Sequence, residues 1–418
     1  MLWGMTTSSG SHLSNVWFSV TPLEVSHGSG SWVTTTSGEE YLDFASGIAV
    51  NSTGHAHPKV AAAIAEQAQR FIHAQVNVYK HDLLEPLAAK LAQLSPGPID
   101  TFFFANSGAE ITEASIKLAK QVTKRPHTVV FSGSFHGRTH MAMAMTTSKT
   151  GYRAGHAPLP SGVFVAPFPD HLAADQDAEV AKALKGFDHL LKSMTAPEET
   201  AAVILEPVMG EGGYVPVPPA FMRGIVERCR EHGIMFIADE VQSGFGRTGK
   251  MFAVEHYGIE PDIICMAKGI ASGFPFSALG TRRELDDKWP KGSHGGTYGG
   301  NAMGCAAALA TIEIMEDPAF LQNVVDRGEQ LRAGLRELQQ EHPGIIDVRG
   351  LGLMVGVEFD DPARVAAVTK HSLEEGHLIL MNAGTYGRTL RWMPPLVVNE
   401  REIDLGLAAF SAALKATA

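Results

Sequence analysis

The runs AAVIL (201–205), IMFIAD (234–239) and DIICMAK (262–268) decide the fold. Each is a short apolar segment that ends on a polar residue or is followed at once by one: Glu206, Asp239 and Lys268. Apolar runs of this length, separated by helical patterns, read as strands of a sheet covered on both faces. TFFFA (101–105) and TVVF (128–131) extend the series towards the N-terminus. The alternation predicts an α/β chain on a largely parallel, doubly wound sheet. Open sheets of this kind build their ligand crevices beyond the carboxyl ends of the strands. Glu206, Asp239, Lys268 and the Ser107-Gly108-Ala109 segment after TFFFAN are therefore expected in one place.

Outward from that core, residues 308–340 carry helix-favouring side chains, and IIDVRGLGLMVGVEF (345–359) and GHLILM (376–381) read as strands before a last helix near 401–416. This predicts a smaller α+β domain made of residues 1–50 and 306–418, set against a large domain of residues 51–305. KGSHGGTYGGN (291–301) between the two regions reads as a functional loop. The Ser/Thr/Gly-rich first 14 residues are expected to fray. They have neither a basic region nor an apolar core of the secretory kind, which points to the cytoplasm.

Composition narrows the partners. The 418 residues carry 34 basic and 45 acidic side chains, a net charge of -11, with no dense Lys/Arg run, so nucleic acid is not expected. No uncharged apolar stretch approaches the roughly 20 residues of a membrane span. Cys229, Cys265 and Cys305 lie far apart without metal-ligand spacing, which fits reduced thiols and no structural zinc. A small-molecule substrate is left.

The polar residues at the strand ends suit one chemistry. Ser107, Gly108 and Ala109 open a helical pattern running to about Lys120, and free N–H groups at a helix start bind anions such as phosphate. Ser107 or Asn106 equally serves as a plain helix cap. Asp239 and Glu240 are adjacent, so one carboxylate faces the crevice and the other faces away; a buried carboxylate needs a cation, which a protonated cofactor ring nitrogen supplies. A structural ion pair is the plainer reading of Asp239 alone. Lys268 ends an apolar strand, where burial favours the neutral amine that Schiff-base chemistry needs. A lone lysine there would reach for solvent; its company argues otherwise.

FFANSGAE (103–110), FHGRT (135–139), EPVMGEGG (206–213), IADEVQSGFGRTG (237–249), AKGIASGFP (267–275), HGGTYGGN (294–301) and LRWMPPL (390–396), in that order, resemble the class III aminotransferases of fold type I. GRTH (137–140) and FASGIAVNSTGHAHPKV (44–60) lean towards the 4-aminobutyrate enzymes over the acetylornithine enzymes. The resemblance implies a mostly parallel seven-stranded sheet flanked by helices, a small α+β domain from both chain ends, and pyridoxal 5'-phosphate as cofactor. It implies a homodimer, or a dimer of dimers, that takes an amine or ω-amino acid donor and a 2-oxo acid acceptor by a ping-pong mechanism.

Carried over by motif, Lys268 holds the cofactor and shuttles the proton, and Asp239 pairs with the pyridine nitrogen. Gln242 sits near the ring hydroxyl, Phe135 stacks on the ring, and His136 and Glu206 belong to the cofactor site. Ser107, Gly108 and Ala109 take the phosphate, joined by Thr297 of the neighbouring subunit. Arg138 holds a distal carboxylate and Ile48 lines the substrate site, while Glu211 and Arg391 form a gate, paired for an amine without an α-carboxylate and parted for glutamate or 2-oxoglutarate. Met209 stands where many members carry Gln, and Phe135 where 4-aminobutyrate enzymes often carry Tyr; both bear on the substrate. An ω-amine:pyruvate or acetylornithine aminotransferase is the alternative within the family. Trp17, Phe18 and residues 381–386 read as core, or else as the wall of an apolar pocket.

Gly244, Gly246 and Gly249 spell a dinucleotide fingerprint, the one feature favouring a nicotinamide dehydrogenase. That motif should follow its strand directly and open a helix, yet residues 239–243 intervene. A phosphate loop ending at Lys250 would need Ser or Thr next, and Met251 is there.

Overall fold

Thr200–Leu205, Met235–Asp239 and Ile263–Met266 lie side by side in a computed structural model that describes residues 12–417. Most of the stretch expected to fray, residues 1–11, is outside the described residues. Across the sheet the order is Thr101–Ala105, Ser277–Thr281, Ile263–Met266, Met235–Asp239, Thr200–Leu205, His127–Phe131 and Val163–Ala166. Ser277–Thr281 runs antiparallel to both neighbours, and the remaining pairings are parallel. Every residue of Thr200–Leu205 and Ile263–Met266 is buried, which is why these strands read as continuous apolar runs rather than alternating ones.

Helices flank the sheet. Gly108–Thr123 starts directly after Thr101–Ala105, and Pro219–His232 precedes Met235–Asp239, ended by Gly233 in the left-handed region at φ 61°. The helical stretch read over 308–340 is two helices, Ala302–Met315 and Pro318–Glu341. Asp317 caps the second, and Pro318 occupies its first turn, where a missing N–H costs nothing.

Two smaller sheets join the chain ends. Ile345–Leu351 and Met354–Phe359 form a hairpin that continues into Thr389–Trp392 and Met381–Ala383. Val25–Ser29, Trp32–Thr35 and Glu40–Asp43 form a meander whose fourth strand, Leu378–Ile379, comes from the far end of the chain and pairs in parallel with Glu40–Asp43. Phe44 packs against Trp392, ring centroids 5.8 Å apart, and Asn399 and Glu402 form a capping box on the final helix Glu400–Ala416.

One core assignment fails. Trp17 and Phe18 are 76% and 63% exposed, because residues 12–20 form no strand or helix that could lay them on a sheet; Tyr386 is exposed as well. The run from Gly244 to Gly249 forms turns and opens no α-helix, only a short 3-10 turn at Ala253–Tyr257 coming after it, so it is no dinucleotide loop. Within it the fully buried Arg247 donates to the carbonyls of Leu353 (3.1 Å) and Pro394 (2.5 Å), bracing the turns against the C-terminal strands. Among the described residues no helix is long and apolar enough to cross a membrane.

Candidate active site

Beyond the carboxyl ends of the central strands lies a cavity of about 580 Å³. Ser107, Gly108, Ala109, Phe135, His136, Arg138, Glu206, Glu211, Asp239, Gln242 and Lys268 all line it, so residues from position 107 to position 268 of the sequence meet there.

Lys268 follows Ile263–Met266 and enters a tight turn with φ 46°, a strained conformation for a residue with a side chain. Its amine makes no ion pair. Desolvation by the cavity walls brings it down to about 8, the carboxylates of Glu211, Asp239 and Glu206 opposing that fall and Arg391 adding to it. A substantial neutral fraction near neutral pH makes it a nucleophile and a base.

Asp239 ends Met235–Asp239 with its carboxylate in the cavity: Oδ2 lies 2.7 Å from Nδ1 of His136, and Oδ1 accepts the N–H of Val241 at 3.1 Å. A carboxylate only accepts, so Nδ1 carries the proton. Burial, the largest single effect, would depress His136, but its bond to Asp239 and the charges of Asp239 and Glu206 together outweigh this and raise it. Glu240 turns the other way, accepting from Ser243 and from the Val254 N–H, as two adjacent strand positions require. Glu206 receives the N–H groups of Phe135 and Gly210, both at 2.8 Å, and so fixes two walls of the cavity. Burial raises its carboxyl to about 7, Asp239 adding to the rise and His136 opposing it.

At the helix start, Ser107 does cap: its hydroxyl accepts the Glu110 N–H at 3.3 Å. The N–H groups of Gly108 and Ala109 are left without a protein acceptor and face the cavity, where the helix dipole adds positive potential. Gly108 is obligatory, since a Cβ there would sit 2.8 Å from Val241.

Arg391, on Thr389–Trp392, is buried, with one Nη 2.5 Å from Glu211 Oε1 and the other on the Asn382 carbonyl. Burial would raise Glu211, yet Arg391 first and Lys268 next hold it below the usual carboxylate range. Arg138 also faces the cavity and has no acidic partner within 4 Å among the described residues.

Two expected residues do not line this chain's cavity, Thr297 being expected at a neighbouring subunit's site. Thr297 is exposed on the 291–301 loop, away from this chain's cavity. Ile48 is 40% exposed in a left-handed turn over Ser46–Ala49, while its neighbour Val50 lines the cavity. Asp43 holds that turn by accepting the N–H groups of Ala45 (2.9 Å) and Ser46 (2.8 Å), against a cost of about 1 kcal/mol for each side-chain-bearing residue in this region.

Two residues escaped the sequence reading. Tyr152 donates to Glu211 Oε2 at 3.0 Å and packs edge-on to Phe135, centroids 5.2 Å apart. Lys149, in the same turn, is half-buried beside Glu211 and Arg391. They lie in TTSKTGY (146–152), which has no periodicity or motif to mark it.

Residues 13–414 match the model of the family described as Aminotransferase class-III. The chain is 41% identical to the 5-aminovalerate aminotransferase of Pseudomonas putida, over 93% of this chain and 92% of the relative. It is 40% identical to the 4-aminobutyrate aminotransferase of Escherichia coli, over 90% and 89%. Its fold is similar to that of an (S)-enantioselective omega-transaminase from Thermomicrobium roseum, with a TM-score of 0.88 at 30% identity, covering 95% of this chain and 93% of that one. With Lys268, Asp239 and the Glu211–Arg391 pair gathered around one cavity, the chain belongs to the class-III aminotransferases.

Proposed function

We propose that this aminotransferase uses pyridoxal 5'-phosphate to move the terminal amino group of a short ω-amino acid, of the 4-aminobutyrate or 5-aminovalerate kind, to a 2-oxo acid. The observation that carries the reading is the pairing on the cavity wall: Arg391 is neutralised by Glu211 at 2.5 Å, while Arg138 is free. A donor with one distal carboxylate and no charge beside its amine needs that division.

The loose ends of the site fit the cofactor. Gly108 and Ala109 offer unpaired N–H groups to a phosphate, and Asp239 offers a carboxylate with no lysine or arginine partner to a ring nitrogen. The buried Oε1 of Gln242 has no partner and would meet the ring hydroxyl, and Phe135 would cover one ring face. When bound, the cofactor supplies an electron sink beside the substrate amine. Lys268 takes the proton from the substrate carbon and returns it further along, which its amine near 8 permits. Arg138 orients the distal carboxylate by a two-pronged contact. Glu211 shields Arg391 during the donor half-reaction and releases it to the α-carboxylate of the acceptor, avoiding an unpaired buried guanidinium in either state.

The test is a panel of single half-reactions followed by cofactor absorbance. 4-Aminobutyrate or 5-aminovalerate should outpace 1-phenylethylamine by about tenfold or more, a margin that pocket complementarity readily provides, with β-alanine and acetylornithine between them. Preference for 1-phenylethylamine with pyruvate would overturn the ω-amino acid assignment.

We also propose a homodimer in which Thr297 serves the partner's phosphate site. Exposed Ile72, Val78, Tyr79 and Tyr298 support it, near a second hollow of about 340 Å³ lined by Asn77, His81 and Gly296. Light scattering should give twice the chain mass at micromolar concentration; a monomer there would exclude this role for Thr297.

A further inference from the structure

Glu211 has two oxygens and two partners, Arg391 on Oε1 at 2.5 Å and the Tyr152 hydroxyl on Oε2 at 3.0 Å. Once Arg391 turns to an incoming α-carboxylate, a neutral phenol is the only hydrogen-bond partner left to Glu211, with the charge of Lys268 acting on it without a bond. A buried carboxylate left so is costly, and the gate would resist opening.

The same turn that carries Tyr152 carries a spare cation. The carbonyl of Lys149 accepts the Tyr152 N–H at 3.2 Å, which ties the two residues into one turn. Lys149 is half-buried and forms no ion pair within 4 Å, and the charges it feels are those of Glu211 and Arg391. With the gate closed Glu211 attracts it and Arg391 repels it without either bonding it, and burial holds its ammonium below the ordinary lysine range.

We propose that Lys149 is the second station of Glu211: when the acceptor's α-carboxylate takes Arg391, Glu211 swings to Lys149 while Tyr152 retains its other oxygen as a pivot. Glu211 then has a cationic partner in both states: Arg391 while the gate is closed and Lys149 is spare, or Lys149 once the acceptor holds Arg391. No bond is made or broken in the exchange. Lys149 is thus a positioning residue that sets preference between ligands with one and with two carboxylates. The proposal rests on the gate reading given above.

The test measures equilibrium binding of two unreactive ligands to the cofactor-loaded enzyme, glutarate with two carboxylates and butyrate with one. Lys149→Met should weaken glutarate by about tenfold and leave butyrate within about twofold, the scale of a lost partner for a buried charge. Lys149→Arg should restore most of the loss. In a Glu211→Ala background there is no carboxylate to rehouse, so Lys149→Met should change glutarate by less than about twofold, the mark of coupled residues. The KM for 2-oxoglutarate should follow glutarate, with kcat little changed. Equal weakening of glutarate in both backgrounds would mean that Lys149 touches the ligand itself, and no weakening in either would mean that it plays no part; each overturns the second station and spares the gate. If Glu211→Ala leaves the preference between glutarate and butyrate untouched, the gate fails and the second station with it.

Discussion

Replacing Lys268 by alanine should lower kcat by about four orders of magnitude, the upper range for loss of a positioned acid–base group. No second amine lines the cavity: Lys149 lies behind the gate, and the guanidinium groups of Arg138 and Arg391 cannot form the same bond. In the proposed reading, the contacts to the cofactor's phosphate and ring nitrogen come from Gly108, Ala109 and Asp239, and they survive the change. The variant should therefore bind the cofactor without a covalent bond. Borohydride treatment followed by peptide mapping should label Lys268 in the wild type and nothing in the variant. The amine near 8 adds a pH signature. Only its neutral form attacks an aldehyde, so loading of the unloaded wild type should speed up about tenfold per pH unit below that value and level off above it. Turnover in the variant within a factor of ten of wild type would remove Lys268 from the chemistry.

Asp239→Asn should slow both half-reactions together, by about two to four orders of magnitude. The amide keeps the size of the carboxylate but not its charge, so a protonated ring nitrogen loses its counter-ion. The side chain now sits between two donors, Nδ1–H of His136 and the Val241 N–H, with only one acceptor atom to offer. Its NH₂ must then oppose one of them, or His136 must change tautomer. With the carboxylate gone, burial depresses His136 against only the charge of Glu206. Stopped-flow traces of each half-reaction separate this from damage at the gate. Loss of Asp239 is symmetrical because donor and acceptor share one ring, whereas a gate variant harms one half only. A loss confined to a single half-reaction would refute the pairing with the ring.

The sheet and the ends of its strands were legible because physics makes them conspicuous. A strand buried on both faces must be apolar throughout, so an Asp, Glu or Lys at its end stands out, as Asp239, Glu206 and Lys268 do. Ser277–Thr281, SALGT, escaped because small and polar residues in the antiparallel strand carry no such signature. Val163–Ala166 escaped because a four-residue edge strand is too short for any period. Tyr152 was out of reach for a different reason: its bond to Glu211 spans 59 positions and rests on a three-residue turn. Trp17 and Phe18 show the opposite limit: a large apolar side chain reads as interior from its type alone, yet these two are exposed because no element lies behind them.

The parallel ladder between Leu378–Ile379 and Glu40–Asp43 has a consequence for the order of assembly. Asp43 anchors the left-handed turn that leads to Val50 on the cavity wall, and its strand has no outer partner until Leu378 arrives. Arg247 likewise waits for Leu353 and Pro394. Contacts this distant along the chain close last and slowly. A polypeptide emerging from the ribosome can therefore finish its central sheet early, but it must be almost fully synthesised before it owns a pocket that can tell one amine from another.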